Sequence, residues 1–141
     1  MMYLISKLIS ALTIVSFALV STEPCSESYE LIVEVEGVVI KKGTLYVALY
    51  NNEEDFLETP FLTQKIQIEE FTKQLSFENL DPGEYAVTIY QDLNGNGKLD
   101  KMFKMPLEPY GLSNNSGSFP TFSNQKIEVN HNKTIVINIK N

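Results

Sequence analysis

Residues 80–91 read Leu-Asp-Pro-Gly-Glu-Tyr-Ala-Val-Thr-Ile-Tyr-Gln, a turn followed by a strand pattern. Pro82 presets the dihedral angle of the first central position of the turn, and Gly83 is suited to the positive φ angle of the next position. Tyr85, Val87 and Ile89 then alternate with the residues of the opposite face. A period of two is typical of a half-buried β-strand, so this segment predicts a turn that leads directly into a strand.

The same period of two recurs in six other segments of the chain. They lie at residues 31–36, 45–50, 65–69, 74–78, 127–129 and 135–139. Seven short strands separated by turn signals predict an all-β fold, a seven-stranded antiparallel β-sandwich with a long irregular loop after the fifth strand. Because alternate residues share a face, the pattern also predicts a buried apolar set. That set is Leu31, Val33, Val35, Leu45, Val47, Leu49, Val87, Ile89, Ile135 and Ile137.

The first residues of the chain have the pattern of a secretory signal peptide. Lys7 precedes an apolar run at residues 8–20, and polar residues follow this run. The run is shorter than the ~20 apolar residues of a membrane-spanning helix, so a retained anchor is the weaker alternative. We therefore predict a signal peptide at residues 1–22, a linker at residues 23–29 and a single β-sandwich domain at residues 30–141.

Composition and export limit the compartments and partners. We expect the mature protein in the periplasm, on the cell surface or outside the cell, with no stable membrane span after signal cleavage. The formal net charge is −7 and all the basic residues are lysines, so neither nucleic acid nor anionic lipid is an expected partner. Cys25 is the single cysteine, so an intramolecular disulfide cannot form.

Residues 92–100 read Asp-Leu-Asn-Gly-Asn-Gly-Lys-Leu-Asp, directly after the predicted strand. Their spacing matches a calcium-binding loop at positions 1, 3, 5 and 9, with a backbone carbonyl at position 7. The predicted metal ligands are Asp92, Asn94, Asn96, Lys98 and Asp100. The two aspartates at the ends of the loop would repel each other unless positive charge lay between them. Calcium is therefore the candidate cofactor.

The same loop has a second interpretation as a tight turn. Two Asn-Gly steps lie at residues 94–95 and 96–97, and such steps are typical of hairpin turns. Phe103 stands at position 12, where the calcium template has a bidentate glutamate. Glu108 or the side-chain amide oxygens of Asn114 and Asn115 could complete the set of calcium ligands. Both interpretations stay open at the level of sequence.

Residues 104–124 lack periodicity and interleave prolines and glycines with aromatic residues. A loop of this length inside a compact domain is usually functional or fixed in place by something. Its densest polar and aromatic cluster contains the candidate ligand-binding residues Glu108, Tyr110, Asn114 and Asn115. The alternative is a loop whose asparagine and serine side chains satisfy its own backbone.

Four tyrosines are candidates for a stacking platform. Tyr46, Tyr50, Tyr90 and Tyr110 could bind a peptide or a sugar if they share one surface. Tyrosines on the outer face of strands are more often cross-strand packing pairs. The chain has no tryptophan, which weakens the carbohydrate interpretation.

The order of several motifs resembles a known bacterial family. The blocks are Leu-Asp-Pro-Gly-Glu-Tyr-Ala-Val at 80–87, the loop at 91–100, Met-Pro-Leu-Glu-Pro-Tyr-Gly-Leu-Ser-Asn-Asn at 105–115 and Phe-Pro-Thr-Phe at 119–122. Together they resemble the exported proteins grouped as domain of unknown function twenty-one forty-one. The resemblance implies an envelope location and a β-sandwich without a reaction. The turn before the strand at residue 85 is also similar to that of prealbumin-like sandwiches in collagen-adhesin B-type repeats, so a prealbumin-like or Ig-like architecture is expected.

Two functional hypotheses follow. We favour a non-catalytic module that binds an envelope protein, peptide or glycan, because His131 is the single histidine and no nucleophile motif accompanies it. The alternative is a hydrolase that acts on an envelope glycan. Its acid and base would be Asp92 or Asp100 together with Glu108, because a pair of carboxylates needs no sequence motif.

Overall fold

The computed structural model describes residues 27–116 and 119–140, and these residues contain ten β-strands and one short helix. The elements are β1 (Tyr29–Glu36), β2 (Thr44–Tyr50), β3 (Leu62–Gln67), β4 (Gln74–Leu80), β5 (Gly83–Asp92), β6 (Lys101–Met102), β7 (Met105–Pro106), β8 (Tyr110–Leu112), α1 (Phe122–Gln125), β9 (Ile127–Val129) and β10 (Lys133–Asn138). The predicted signal peptide lies outside the described residues. None of the described helical residues form a segment with the length and apolarity of a membrane span.

A three-stranded sheet has β1 at its centre, between β10 and β4. Val33 of β1 lies opposite Ile135 of β10 on one side and Leu75 of β4 on the other. Cross-strand pairs of β-branched and aliphatic side chains pack well on a pleated surface. The alternation seen in the sequence of β1 therefore becomes one continuous apolar face.

A five-stranded sheet is built around β5, in the order β3-β2-β5-β8, with β9 also paired to β5. The first residues of β5 pair with β9, from Gly83 to Tyr85. Its later residues pair with β2 along one edge and with β8 along the other. The long strand predicted at residues 85–91 is therefore the centre of this sheet.

The apolar faces of the two sheets enclose one core, which is the arrangement of a β-sandwich. Both sheets contribute fully buried side chains, among them Leu31 and Val33 from one and Val47 and Val87 from the other. The predicted core set is buried, except for Ile135, which is partly buried. Burial of such aliphatic side chains contributes about 1.5–3 kcal/mol each, so this core is the main source of stability.

The outer face of the five-stranded sheet is also covered at one end. Tyr50, Ala86 and Phe122 are buried there, with Ala48 and Phe56 packed against them. The ring of Phe56 lies edge-on to both neighbours, with centroid distances of 5.2 Å to Tyr50 and 6.0 Å to Phe122. The segment that contains α1 is therefore fastened to the sheet by a second, small aromatic cluster.

Two parts of the predicted architecture are wrong. The described residues contain ten strands rather than seven, because the long segment after β5 adds β6, β7 and β8. Strands of two or three residues are too short to show alternation. The sheets are also not purely antiparallel, because β10 is parallel to β1. Since β9 pairs with β5 and β10 pairs with β1, the turn between them carries the chain from one sheet to the other and does not close a hairpin.

The turn before β5 differs from its prediction as well. Gly83 is not among the glycines with positive φ, whereas Asn79 has a φ of 56°. The register of β4 against β1 shifts close to this residue, which marks a β-bulge. Asparagine tolerates the left-handed region better than most residues, so the positive φ lies in the bulge of β4 and not in the turn.

Candidate functional site

The candidate calcium loop begins at Asp92, the last residue of β5. Gly43 passes close to this point with a φ of +86°, and a Cβ atom on it would lie 2.2 Å from the carbonyl oxygen of Asp92. Only a residue without a side chain fits such an approach. The loop is therefore held against the start of β2 from its first residue.

The Asp92 carboxylate is buried and closes the loop on itself. Its Oδ1 accepts a hydrogen bond from the Gly95 N–H at 2.7 Å, and its Oδ2 accepts one from the Gly97 N–H at 2.8 Å. Both glycines have positive φ angles, of 77° and 73°. Hydrogen bonds from backbone N–H groups to a carboxylate are stronger than neutral ones, so Asp92 stabilises the turn directly.

The other predicted metal ligands belong to the same network. Asn94 Oδ1 accepts from the Asn96 N–H at 3.0 Å, and Asn96 Oδ1 accepts from the Lys98 N–H at 2.8 Å. The side-chain amides of both asparagines donate to the Asp100 carboxylate, at 2.5 and 2.9 Å. The loop thus gathers the four predicted side-chain ligands, whereas Lys98 joins the network through its N–H. N–H donors offset the repulsion that was expected between the two aspartates.

Glu108 holds both ends of the loop from the segment that follows. Its Oε1 accepts from the Leu93 N–H at 2.9 Å and its Oε2 accepts from the Asp100 N–H at 3.2 Å. The Leu107 N–H donates to the Asp100 carbonyl at 2.8 Å. The Glu108 side chain is buried. In this position its carboxylate orders the backbone of the loop.

These contacts bear on the two chemical interpretations of the loop. Within residues 27–116 and 119–140, no three His, Cys, Asp or Glu side chains converge in a way that could hold a metal ion. A carboxylate oxygen that accepts one N–H keeps a second lone pair, so calcium binding at the loop stays a prediction. Asp92 and Glu108 are both buried, and their carboxylates accept hydrogen bonds from N–H groups of the loop backbone. Nothing in this arrangement supports a glycan hydrolase.

The two asparagines of the long loop fasten it to neighbouring elements. Asn114 Nδ2 donates to the carbonyls of Asn124 and Lys126, at 3.0 and 3.2 Å. Asn115 bridges to β10, since it donates to the Val136 carbonyl and accepts from the Asn138 N–H. Both side chains therefore satisfy backbone groups, as the structural alternative for this loop expects.

A buried serine and glutamine also position this segment. The serine satisfies backbone groups, as the structural alternative expects, whereas sequence reasoning missed the glutamine. Ser113 Oγ accepts from the Val87 N–H at 3.1 Å and donates to the Gln125 carbonyl at 2.5 Å. Gln125 has no exposed surface, and its Oε1 accepts from the Asn114 N–H at 3.3 Å. A single glutamine in a polar stretch gives no sequence pattern, so only the packed structure identifies Gln125.

Three of the four candidate tyrosines lie in one row across the outer face of the five-stranded sheet. Tyr46 is directly opposite Tyr90, which is directly opposite Tyr110, and Lys65 of β3 continues the row. The rings of Tyr46 and Tyr90 stack, and the Lys65 ammonium lies 4.9 Å from the centroid of the Tyr46 ring. Tyr50 belongs to the separate aromatic cluster described above.

Tyr90 connects this row to the loop. Its hydroxyl donates to the Gly97 carbonyl at 3.2 Å. Burial, with smaller contributions from the nearby Tyr46, Asp92 and Glu108, raises the pKa of Tyr90 to about 12. The hydroxyl therefore stays protonated, and keeps donating to the loop, through the physiological pH range.

A groove of about 850 Å³ lies beside the Asp92 loop, residues 92–100. Residues of β5 and β8, the hairpin of β6 and β7, and the segment before α1 line it. Its apolar lining includes Leu57, Leu99, Met105, Leu107, Leu112 and Phe119. Glu108 and Tyr110 also line it, whereas Asn114 and Asn115 do not. The groove is therefore the concave surface toward which the predicted ligand-binding residues partly converge.

Two sheets around one core, with the irregular chain gathered into a hydrogen-bonded loop and a groove, define a small all-β domain. The chain belongs to a bacterial family of uncharacterised proteins, DUF2141, whose sequence profile matches residues 33–137. This match confirms the family that the motif order predicted. Comparison with curated proteins gave no match.

Solved structures that resemble the chain include the pilus-presented adhesin Spy0125 (Cpa). Two determinations of it have 14% sequence identity over 83% and 79% of this chain, with TM-scores of 0.35 and 0.33. A cysteine-to-alanine mutant of the same adhesin has 13% identity over 84% of this chain, with a TM-score of 0.30. The chain spans only 27% to 28% of the length of these adhesin chains.

Proposed function

We propose that this chain is a non-catalytic exported module that binds a protein or peptide of the bacterial cell envelope in the groove beside β8. The observation that carries the proposal is the groove itself. Its volume of about 850 Å³ and its mostly apolar lining with a few polar groups match ordinary ligand sites. The long loop, for which the sequence left a functional and a structural interpretation open, forms much of its wall.

The groove has a rigid framework. Ile89 and Tyr90 of β5 pair with Gly111 and Tyr110 of β8 along its floor. The Glu108 carboxylate fixes the wall, because it holds both ends of the Asp92 loop. A preformed site loses less conformational entropy when a ligand binds, which favours affinity.

A polypeptide fits the groove better than a glycan. Leucine, methionine and proline side chains on the walls favour apolar side chains over sugar hydroxyls. Tyr46 does not line the groove, and its ring is stacked on Tyr90 toward β5 and contacts Lys65 toward β3, so it offers no free face for stacking a sugar there. We therefore place the glycan second among the candidate ligands.

Within this proposal the Asp92 loop is a scaffold for the groove. Hydrogen bonds already close this loop, and calcium would bind to the closed loop. Its oxygen ligands would come from Asp92, Asn94, Asn96, Asp100 and the Lys98 carbonyl. Calcium would supply positive charge between the two aspartates and so stiffen the loop. The role of calcium would therefore be structural and not catalytic.

The binding proposal is tested by capture from a solubilised envelope fraction. Wild-type protein should retain a saturable set of polypeptides, and Leu107→Gln should lose them, because Leu107 lines the groove with 60% of its surface exposed. Leu62→Gln is the matched control, since Leu62 is 39% exposed on β3 and does not line the groove. Equal capture by all three proteins, or no saturable capture at all, would contradict the proposal.

Export is a separate part of the proposal and rests on the apolar run at residues 8–20. Mass spectrometry of the native protein should find an N-terminus between about residues 19 and 25. A soluble product that keeps Met1 inside the cell would contradict it.

A further inference from the structure

Residues 101–107 form a small hairpin that is separate from the two main sheets. β6 and β7 make their own two-stranded sheet, with Met102 opposite Met105 and Lys101 opposite Pro106. The two residues of the turn are Phe103 and Lys104. The hairpin begins directly after the Asp92 loop, which hydrogen bonds hold in place.

The hairpin exposes an unusual amount of apolar side chain. The exposed fractions are 56% for Met102, 93% for Phe103, 70% for Met105 and 60% for Leu107. Single exposed apolar residues are ordinary on protein surfaces, whereas four lie here within six positions, and Met102 is directly opposite Met105. Such a patch marks an interaction site.

The turn of the hairpin is conformationally costly for its sequence. Phe103 has a φ of 49° and Lys104 a φ of 67°, so both central residues are in the left-handed region. Turns of this kind favour Asn-Gly, and the neighbouring loop does use glycine at its positive φ positions, Gly95 and Gly97. Folding alone therefore does not explain a phenylalanine and a lysine at the tip, and backbone strain of this sort is concentrated at functional sites.

The chemistry of the hairpin fits a lipid surface. Lys101 and Lys104 alternate with the apolar residues, and no acidic residue occurs between positions 101 and 107. A polypeptide in the groove would not cover the tip, because Met102 and Phe103 do not line the groove, and a separate protein partner needs about 800 Å² from each side, more than this tip can supply. Apolar side chains that enter the headgroup region, with lysines that extend to anionic headgroups, are typical of reversible interfacial binding. The charge of this hairpin is opposite in sign to that of the chain as a whole, whose net charge is −7.

We propose that the tip of this hairpin, Met102, Phe103 and Met105, inserts into the surface of a phospholipid bilayer, with Lys101 and Lys104 against anionic headgroups. Charges more than about 8 Å from the membrane are screened at physiological ionic strength. The two acidic residues that flank the hairpin, Asp100 and Glu108, accept hydrogen bonds from the preceding loop. Met102 and Phe103 do not line the groove, whereas Lys101, Lys104 and Met105 do, so the membrane contact shares one wall with the groove but does not depend on what the groove binds. It assigns the protein a peripheral, reversible position on a membrane.

The test uses the absence of tryptophan from the chain. Phe103→Trp places a single tryptophan at the tip, and its emission is measured with vesicles of phosphatidylcholine, with or without phosphatidylglycerol. We expect a blue shift and quenching by brominated lipid, with tighter binding to the vesicles that contain phosphatidylglycerol. Adding Lys101→Gln and Lys104→Gln should weaken binding to those vesicles about fivefold per lysine, the ratio that corresponds to ~1 kcal/mol.

Val39→Trp is the matched control, because Val39 is 70% exposed and lies outside the hairpin. Its emission should not change with either vesicle. An unchanged Phe103→Trp spectrum at millimolar lipid, or an equal shift in the control, would overturn the proposal. A blue shift that appears without lipid as the protein concentration rises would also overturn it, because a second copy of the chain would then cover the tip.

Discussion

The ring of Tyr46 stacks on the ring of Tyr90, with centroids 4.8 Å apart and planes 9° from parallel. The two residues are directly opposite each other on β2 and β5. Because the Tyr90 hydroxyl also donates to the Gly97 carbonyl, this pair joins the outer face of the sheet to the Asp92 loop. The sheet, the loop and the groove wall are therefore one packed unit, and changes at its contacts have measurable consequences.

The first consequence is a dependence of stability on alkaline pH. The pKa of Tyr90 is raised from 10.0 to about 12 in the folded protein, so the folded state holds the proton more tightly than the unfolded state. The stability from this group is fully present below pH 10 and is lost as pH rises from 10 to about 12. Urea unfolding should show a steeper loss of stability over this interval in wild-type protein than in Tyr90→Phe. Parallel profiles for the two proteins would show that Tyr90 titrates normally.

Removal of the Glu108 carboxylate should destabilise the fold. Glu108→Ala leaves the N–H groups of Leu93 and Asp100 without their acceptor, at a cost of about 2–3 kcal/mol, whereas Glu108→Gln keeps one oxygen and should cost less. Glu53→Ala is the control, because Glu53 is exposed and should change the unfolding free energy by less than about 0.5 kcal/mol. Chemical denaturation checks the order. Equal stability of Glu108→Ala and the control would mean that the carboxylate does not hold the loop.

Two glycines with similar φ angles should respond differently to alanine. Gly95→Ala meets nothing within 4 Å, so its cost is that of a left-handed alanine, about 1–2 kcal/mol. In Gly43→Ala the new Cβ would lie 2.2 Å from the Asp92 carbonyl, so the backbone must move and the cost should exceed that of Gly95→Ala by about 2 kcal/mol or more. Thermal melting of the two variants tests this. Similar melting temperatures would contradict the close approach of β2 to the loop.

Calcium should raise the melting temperature if the loop binds it. Calcium at ~100-fold above its Kd adds about 2.7 kcal/mol when it binds only the folded state. Asp100→Asn should reduce this increment, because it removes one of the two carboxylates of the loop. If millimolar calcium leaves wild-type melting unchanged, the loop is an Asn-Gly turn held by hydrogen bonds alone.

Alternation in the sequence predicted the long strands and the core, because a single buried face requires a period of two. Leu31 and Val87 are buried for this reason. The parallel pairing of β10 with β1 could not be predicted in the same way, since alternation is identical in parallel and antiparallel strands. The spacing of the loop residues also predicted that their side chains lie close together. It could not predict that the Asp92 carboxylate accepts hydrogen bonds from the N–H groups of Gly95 and Gly97, because every residue except proline has such a donor.

The central claim, that the groove binds a polypeptide of the envelope, is tested most directly by photo-crosslinking in intact cells. A photoreactive phenylalanine analogue is placed at Leu107 in the groove, or at Leu62 on β3 as the matched position, in the full chain. The groove position should give a discrete crosslinked polypeptide that the β3 position does not give. Crosslinks from Leu62 alone, or no crosslink from Leu107, would contradict the claim.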